Sequence, residues 1–252
     1  MDRILDWLIV AGPAILSVKL LTSGLYRRYR ALFCYLVFAA LRSGFLTAPS
    51  PASKTYFYVW VWTEPVEWLF YVLAVLEIYS LVLQDYRGLA TAFKWSLLGA
   101  VVVALAASGL SVLVPSHYTS QGPVMTYYYV AERAIYFSLG VFLLTILGLL
   151  MRYPISLNRN IIVHSIVFSF YFLTATVMYL LLSMRGTVVL SGARIALEIA
   201  TVAAMGTWVV MLNPAGEFRQ QKLRPTWMPG REEALTVQLN NLNAALLRAT
   251  RK

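Results

Sequence analysis

A single cysteine, Cys34, lies inside an apolar run, so neither a disulfide framework nor a cysteine metal site can form within the chain. Histidine is almost as scarce, with only His117 and His164. Membrane haem proteins supply paired histidines from facing helices, and zinc hydrolases need ligand sets such as H-E-x-x-H. Neither pattern occurs here, and G-x-S-x-G is absent too. A retinal Schiff base would need a lysine in the last apolar run, and 187–212 contains none. These shortages lead to the expectation of a non-enzymatic protein with no cofactor and no metal.

Charge is the next shortage: 13% of the 252 residues are charged and 60% are hydrophobic, against about 25% and about 45–50% in ordinary soluble domains. A soluble fold of this size could not hide so much apolar surface. What fills the chain instead is a series of apolar runs, and about 20 such residues in a helix cross a hydrocarbon core of about 30 Å. Periodicity and turn residues place seven spans at about 4–25, 31–47, 56–83, 89–114, 124–151, 160–184 and 187–212. The second is the shortest and is interrupted by Arg42. The expected fold is an all-α polytopic bundle of about seven transmembrane helices over residues 1–212, followed by a basic tail over 213–252. Acidic Asp2 and Asp6 stand where a cleavable signal peptide would carry positive charge, so the first run reads as a retained helix.

The net charge of +10 would suggest nucleic acid in a soluble protein. In this chain its distribution sets orientation, and no nucleic-acid partner is expected. With the N-terminus outside, the inner face holds Arg27, Arg28, Arg30, Arg87, Lys94, Arg152 and Arg159, and the tail adds Arg219, Lys222, Arg224, Arg231, Arg248, Arg251 and Lys252. The outer face carries Arg3, Lys54 and Arg185. The positive-inside rule then gives an external N-terminus, a cytoplasmic C-terminus and a multi-pass protein of the plasma (inner) membrane. Aromatic residues at Tyr56, Tyr58, Trp60 and Trp62, and again at Tyr127, Tyr128 and Tyr129, mark the expected interfacial belt. No internal repeat divides the chain.

Ionisable side chains deep in a membrane cost about 2.5–3.5 kcal/mol on the lenient insertion scale and face the bundle interior. At about 1.5 Å per residue, Glu64 and Glu67 fall roughly 12 and 16 Å from the outer end of the third span. Glu132 and Arg133 lie at comparable depth in the fifth, as do Arg194 and Glu198 in the seventh, with Arg42 near the outer end of the second. Trp60, Glu64, Glu67 and Tyr71 share one helix face, as do Arg194 and Glu198, and as do Tyr129, Arg133 and Tyr136. Three arginines against four glutamates leave one carboxylate in excess or protonated.

The candidate ligand site is therefore Arg42, Trp60, Glu64, Glu67, Tyr129, Glu132, Arg133, Arg194 and Glu198. Arginine forks suit a carboxylate or phosphate, and the first expectation is a receptor or sensor that binds a small polar or anionic ligand in an externally open pocket. A proton- or ion-coupled transporter and a non-catalytic subunit of a larger complex are the alternatives, and the same charges can also form a buried ion-pair network that only fixes packing. A sparser second group, Lys19, Glu77, Asn158, Asn160 and His164, lies toward the inner side, where snorkelling or local pairing explains it. In the tail, Leu235, Leu239, Leu242 and Leu246 form one apolar seam over 231–248. That seam suits a helix on the inner membrane surface or against the loops, and equally a homodimer or a cytoplasmic partner.

Overall fold

The computed structural model describes residues 2–47, 53–84, 86, 88–89, 91, 94–95, 98–99, 102–103, 106, 123–152, 157–218, 220–221 and 229–249. Among them the long helices are α1 (Asp2–Thr22), α2 (Arg30–Thr47), α3 (Lys54–Val82), α4 (Pro123–Arg152), α5 (Arg159–Arg185) and α6 (Leu190–Met211). A short α7 (Ala215–Phe218) and the tail helix α8 (Pro229–Ala249) follow. Described residues scattered from Gly88 to Ala106 are also helical; the rest of the expected fourth span, with His117, lies outside the described residues. A two-residue antiparallel ladder pairs β1 (Leu157–Asn158) with β2 (Gln220–Gln221).

Among the described residues four stretches are long and apolar enough to cross a bilayer: Lys54–Val82, Tyr127–Gly148, Arg159–Leu182 and Leu190–Met211. α1 contributes a shorter one, Trp7–Thr22. Many large apolar side chains on these helices point outward, among them Trp7, Trp62, Phe170, Leu180 and Val210. Lipid, not water, is the solvent that suits such a surface.

The six long helices close a ring: each packs on the next in chain order, and α6 returns to α1. Paired contacts fix their directions. Ala31 meets Glu77, Tyr35 meets Tyr71 and Arg42 meets Glu64, so α2 and α3 run antiparallel. A Cβ on Gly12 would lie 3.6 Å from the Met205 side chain, and Lys19 donates to the Val209 carbonyl, so α1 and α6 run parallel.

Local chemistry explains where the helices stop and bend. α1 ends at Gly24, whose φ of 73° is left-handed and therefore suits glycine. The Ser53 side chain accepts the Tyr56 N–H at 3.1 Å and caps α3. Pro65 inside α3 has no N–H to offer the Val61 carbonyl. The Tyr128 hydroxyl of α4 donates to that carbonyl at 2.8 Å, so the break in α3 becomes a link between helices, placed between Glu64 and Glu67.

Two of the inner-group residues act as helix caps. Glu77 caps α2 instead of pairing with Lys19: its carboxylate accepts the Ala31 and Leu32 N–H groups at 3.0 and 3.3 Å. These are orphan donors of the first turn of α2, where the helix dipole favours negative charge. Lys19 satisfies a carbonyl in the last turn of α6.

The tail helix docks on its own chain. Leu239 is 1% exposed and joins the main core cluster, and Leu246 packs against it. Asn243 Oδ1 accepts the Gly88 and Leu89 N–H groups at 2.7 and 3.3 Å, capping from a distance the helical residues that begin there. One expected seam residue differs: Leu242 is 45% exposed, because the contact face follows Leu239, Asn243 and Leu246 and is set by those two hydrogen bonds.

Candidate functional site

At the end of the bundle away from the docked tail, Arg42 reaches from α2 to α3. One terminal nitrogen binds Glu64 and the other binds Glu67. The Arg42 side chain is only 12% exposed, so both arms of its guanidinium are spent on carboxylates in a largely desolvated setting. Glu132, on α4 and 3% exposed, is hydrogen-bonded to Glu64 and to Tyr179 of α5. Its second oxygen, Oε2, has no hydrogen-bond partner among the described residues. Four expected site residues from three helices thus meet, with three carboxyl groups around one guanidinium.

The other expected residues surround or flank this knot. Trp60 packs on Tyr128 with ring centroids 5.2 Å apart, and Tyr129 lies 6.1 Å from Tyr179. Arg133 is half-buried beside Glu132 in sequence. Arg194 and Glu198 form an i,i+4 pair at 2.6 Å within α6, with the Arg194 side chain 66% exposed. That pair satisfies its own charges along one helix face, which is why Arg194 need not turn inward.

From the knot a run of hydroxyls leads toward the bundle centre. Tyr71 donates to Glu67 Oε1 at 2.8 Å and stands 3.2 and 3.3 Å from the hydroxyls of Tyr35 and Tyr171. Below them lies a small cavity lined by Tyr35, Tyr71, Phe168, Tyr171, Met205 and Trp208, among others. Its free space is about 20 Å³, room for a single water molecule. Tyr71 belonged to an expected stripe; Tyr35, Tyr171 and Tyr179 did not, since apolar neighbours conceal them in the sequence.

A second polar knot sits at the tail end, around a residue that sequence reasoning passed over. Glu217 of α7 accepts from Tyr29 at 2.6 Å, from Asn160 at 2.7 Å and from Asn158 at 3.2 Å, and pairs with Arg28 at 2.9 Å. Burial, and then the Glu217 carboxylate, raise the pKa of the Tyr29 hydroxyl, which keeps it a donor. The Tyr29 ring lies 4.6 Å from that of His164. His164 is buried, with neither ring nitrogen bonded among the described residues, and its ring packs near Trp208, which lines the cavity.

No group of three or more metal-ligating side chains gathers among the described residues. The arrangement offers ion pairing, hydrogen bonding and proton exchange. Its apolar helices make the chain a multi-pass helical membrane protein. Comparison with protein-family models, with curated proteins and with solved structures found no match.

Proposed function

We propose that the chain is a seven-span membrane receptor or sensor whose charged cluster is the ligand site and whose tail helix carries the response. In this reading the N-terminus is external, the tail is cytoplasmic, and the membrane is the plasma (inner) membrane. Two features support the topology. The basic residues are heavily biased to one side, and parallel first and last helices call for an odd number of crossings, with which a further span that includes the helical residues described between Gly88 and Ala106 agrees.

One observation carries the functional reading: α3 holds Glu64 and Glu67 near its middle, and the turn after its last residue leads to Gly88 and Leu89, where Asn243 docks. A ligand that favours one packing of α3 over another changes the tail by that differential affinity. The ligand proposed is a small cation. Both arms of Arg42 already hold carboxylates, which leaves an anion no fork there, and carboxyl groups outnumber the guanidinium three to one. Arg194 and Glu198 are a second polar pair nearer the lipid-facing surface and take part in admitting it.

The test uses the full chain in lipid nanodiscs with methylammonium, ethanolamine and putrescine at fixed ionic strength. Hydrogen exchange in α8 should change with at least one of them, and Glu67→Gln should remove the response. A tail indifferent to all three in the wild type counts against the reading.

A transporter is the second reading, favoured by the hydroxyl run from Glu67 through Tyr71 to the central cavity. Liposomes holding the protein and a pH dye discriminate: flux on addition of a cation supports transport, and sealed vesicles with a responding tail support the receptor.

A further inference from the structure

We infer that Glu132 is a proton-binding site, holding as a carboxylic acid the proton that it donates to Glu64. Ionised carboxylates only accept, so two carboxyl groups in hydrogen-bond contact need a proton between them. Glu132 and Glu64 are in such contact.

The neighbours decide which carboxyl carries it. Glu64 Oε2 accepts from the Arg42 guanidinium, a contact that suits an acceptor oxygen there. Among the described residues no cation stands at hydrogen-bond distance from Glu132: its contacts are Glu64 and the Tyr179 hydroxyl, and Oε2 faces no donor there. Every element packed on it contributes known groups. They are Glu64 from α3, Tyr179 and Tyr171 from α5, Arg42 reaching across from α2, and Tyr129, Tyr136 and Arg133 on α4 itself. Arg42 is committed to Glu64 and Glu67. An ionised carboxylate 97% removed from solvent with one bare oxygen would carry an uncompensated desolvation cost; the acid form carries none of that charge.

The bound proton therefore fastens α4 to α3 next to the Tyr128–Val61 link. Its loss turns a hydrogen bond into a repulsion between two carboxylates, and a cation entering the cluster competes with it directly. That last consequence rests on the receptor reading; the proton site does not.

Infrared spectroscopy of the full chain in nanodiscs tests it. The wild type at neutral pH should show a carboxylic-acid C=O band that shifts in D2O and disappears in Glu132→Gln, whose amide can keep the donor to Glu64. Tyr179→Phe, which removes one partner and leaves the acid, should move the band. A wild type without an acid band, or a band untouched by both substitutions, overturns the assignment. A band that follows Glu132 while the tail ignores every cation supports the proton site and removes the receptor reading instead.

Discussion

Asn243 and Gly88 lie 155 residues apart and meet through a 2.7 Å hydrogen bond from the Gly88 N–H to the Asn243 side-chain oxygen. The contact tolerates nothing larger than glycine, since a Cβ at position 88 would stand 2.4 Å from the Asn243 carbonyl oxygen. Backbone cannot yield there as a flexible side chain can. Gly88→Ala should therefore release α8, and Asn243→Ala should weaken it by about 1 kcal/mol, the usual cost of a lost cap. Limited proteolysis between α6 and α8 checks both, with faster cleavage in each variant and the greater effect in Gly88→Ala.

Arg42 clamps two carboxylates inside the bundle, so removing it strands both. Arg42→Gln is expected to lower stability by about 3–5 kcal/mol, the range for breaking a buried pair from one side. Replacing Arg42, Glu64 and Glu67 together by apolar residues of similar size should cost less than the single change. Thermal unfolding in detergent orders the variants.

Arg194→Gln supplies the contrast. Its partner is four residues away on the same helix and its side chain is mostly exposed, so unfolding should barely move. If the pair helps admit a cation, the tail response should weaken while the melting temperature stays near that of the wild type.

Glu217 gathers donors from the α1–α2 turn, the β1 region and α5. Glu217→Gln offers an NH2 to a site that already has four donors, and should destabilise the chain by about 1–3 kcal/mol. Tyr29→Phe removes a single donor and should cost less. Chemical denaturation of the two variants side by side decides.

The orientation can be read with thiols, because Cys34 is the chain's one cysteine. In a Cys34→Ser background, cysteines at positions 3 and 185 should react with an impermeant reagent on intact cells. Those at 27 and 248 should react only after permeabilisation. The reverse pattern would invert the assigned topology.

Much of this arrangement was legible in the sequence, and the remainder was hidden for definite reasons. Four membrane-crossing helices followed from apolar length, and the meeting of Glu64 and Glu67 with Arg42 followed from the cost of burying charge, which drives such residues together. Glu132 joined them for the same reason. Glu77 was expected to pair locally, and its role as a cap depends on which helix terminus lies beside it, a tertiary fact with no local signature. Glu217 and Asn243 sit in a polar tail, where carboxylates and amides are ordinary. Only the docking of that tail gives them partners. Leu242 stays exposed beside the docked face, where the Gly88 and Leu89 N–H groups donate to Asn243 and leucine spacing alone does not mark the contact.

The central claim is that α3 couples the charged cluster to the tail dock, and Glu67→Gln tests it most directly, since the amide leaves the site's shape in place while changing its charge. Hydrogen exchange should be followed by mass spectrometry in nanodiscs, comparing α8 around Leu239–Leu247 with α5 around Phe168–Ala175. The account predicts altered protection in α8 with α5 unchanged. Protection in α8 identical to the wild type would contradict it.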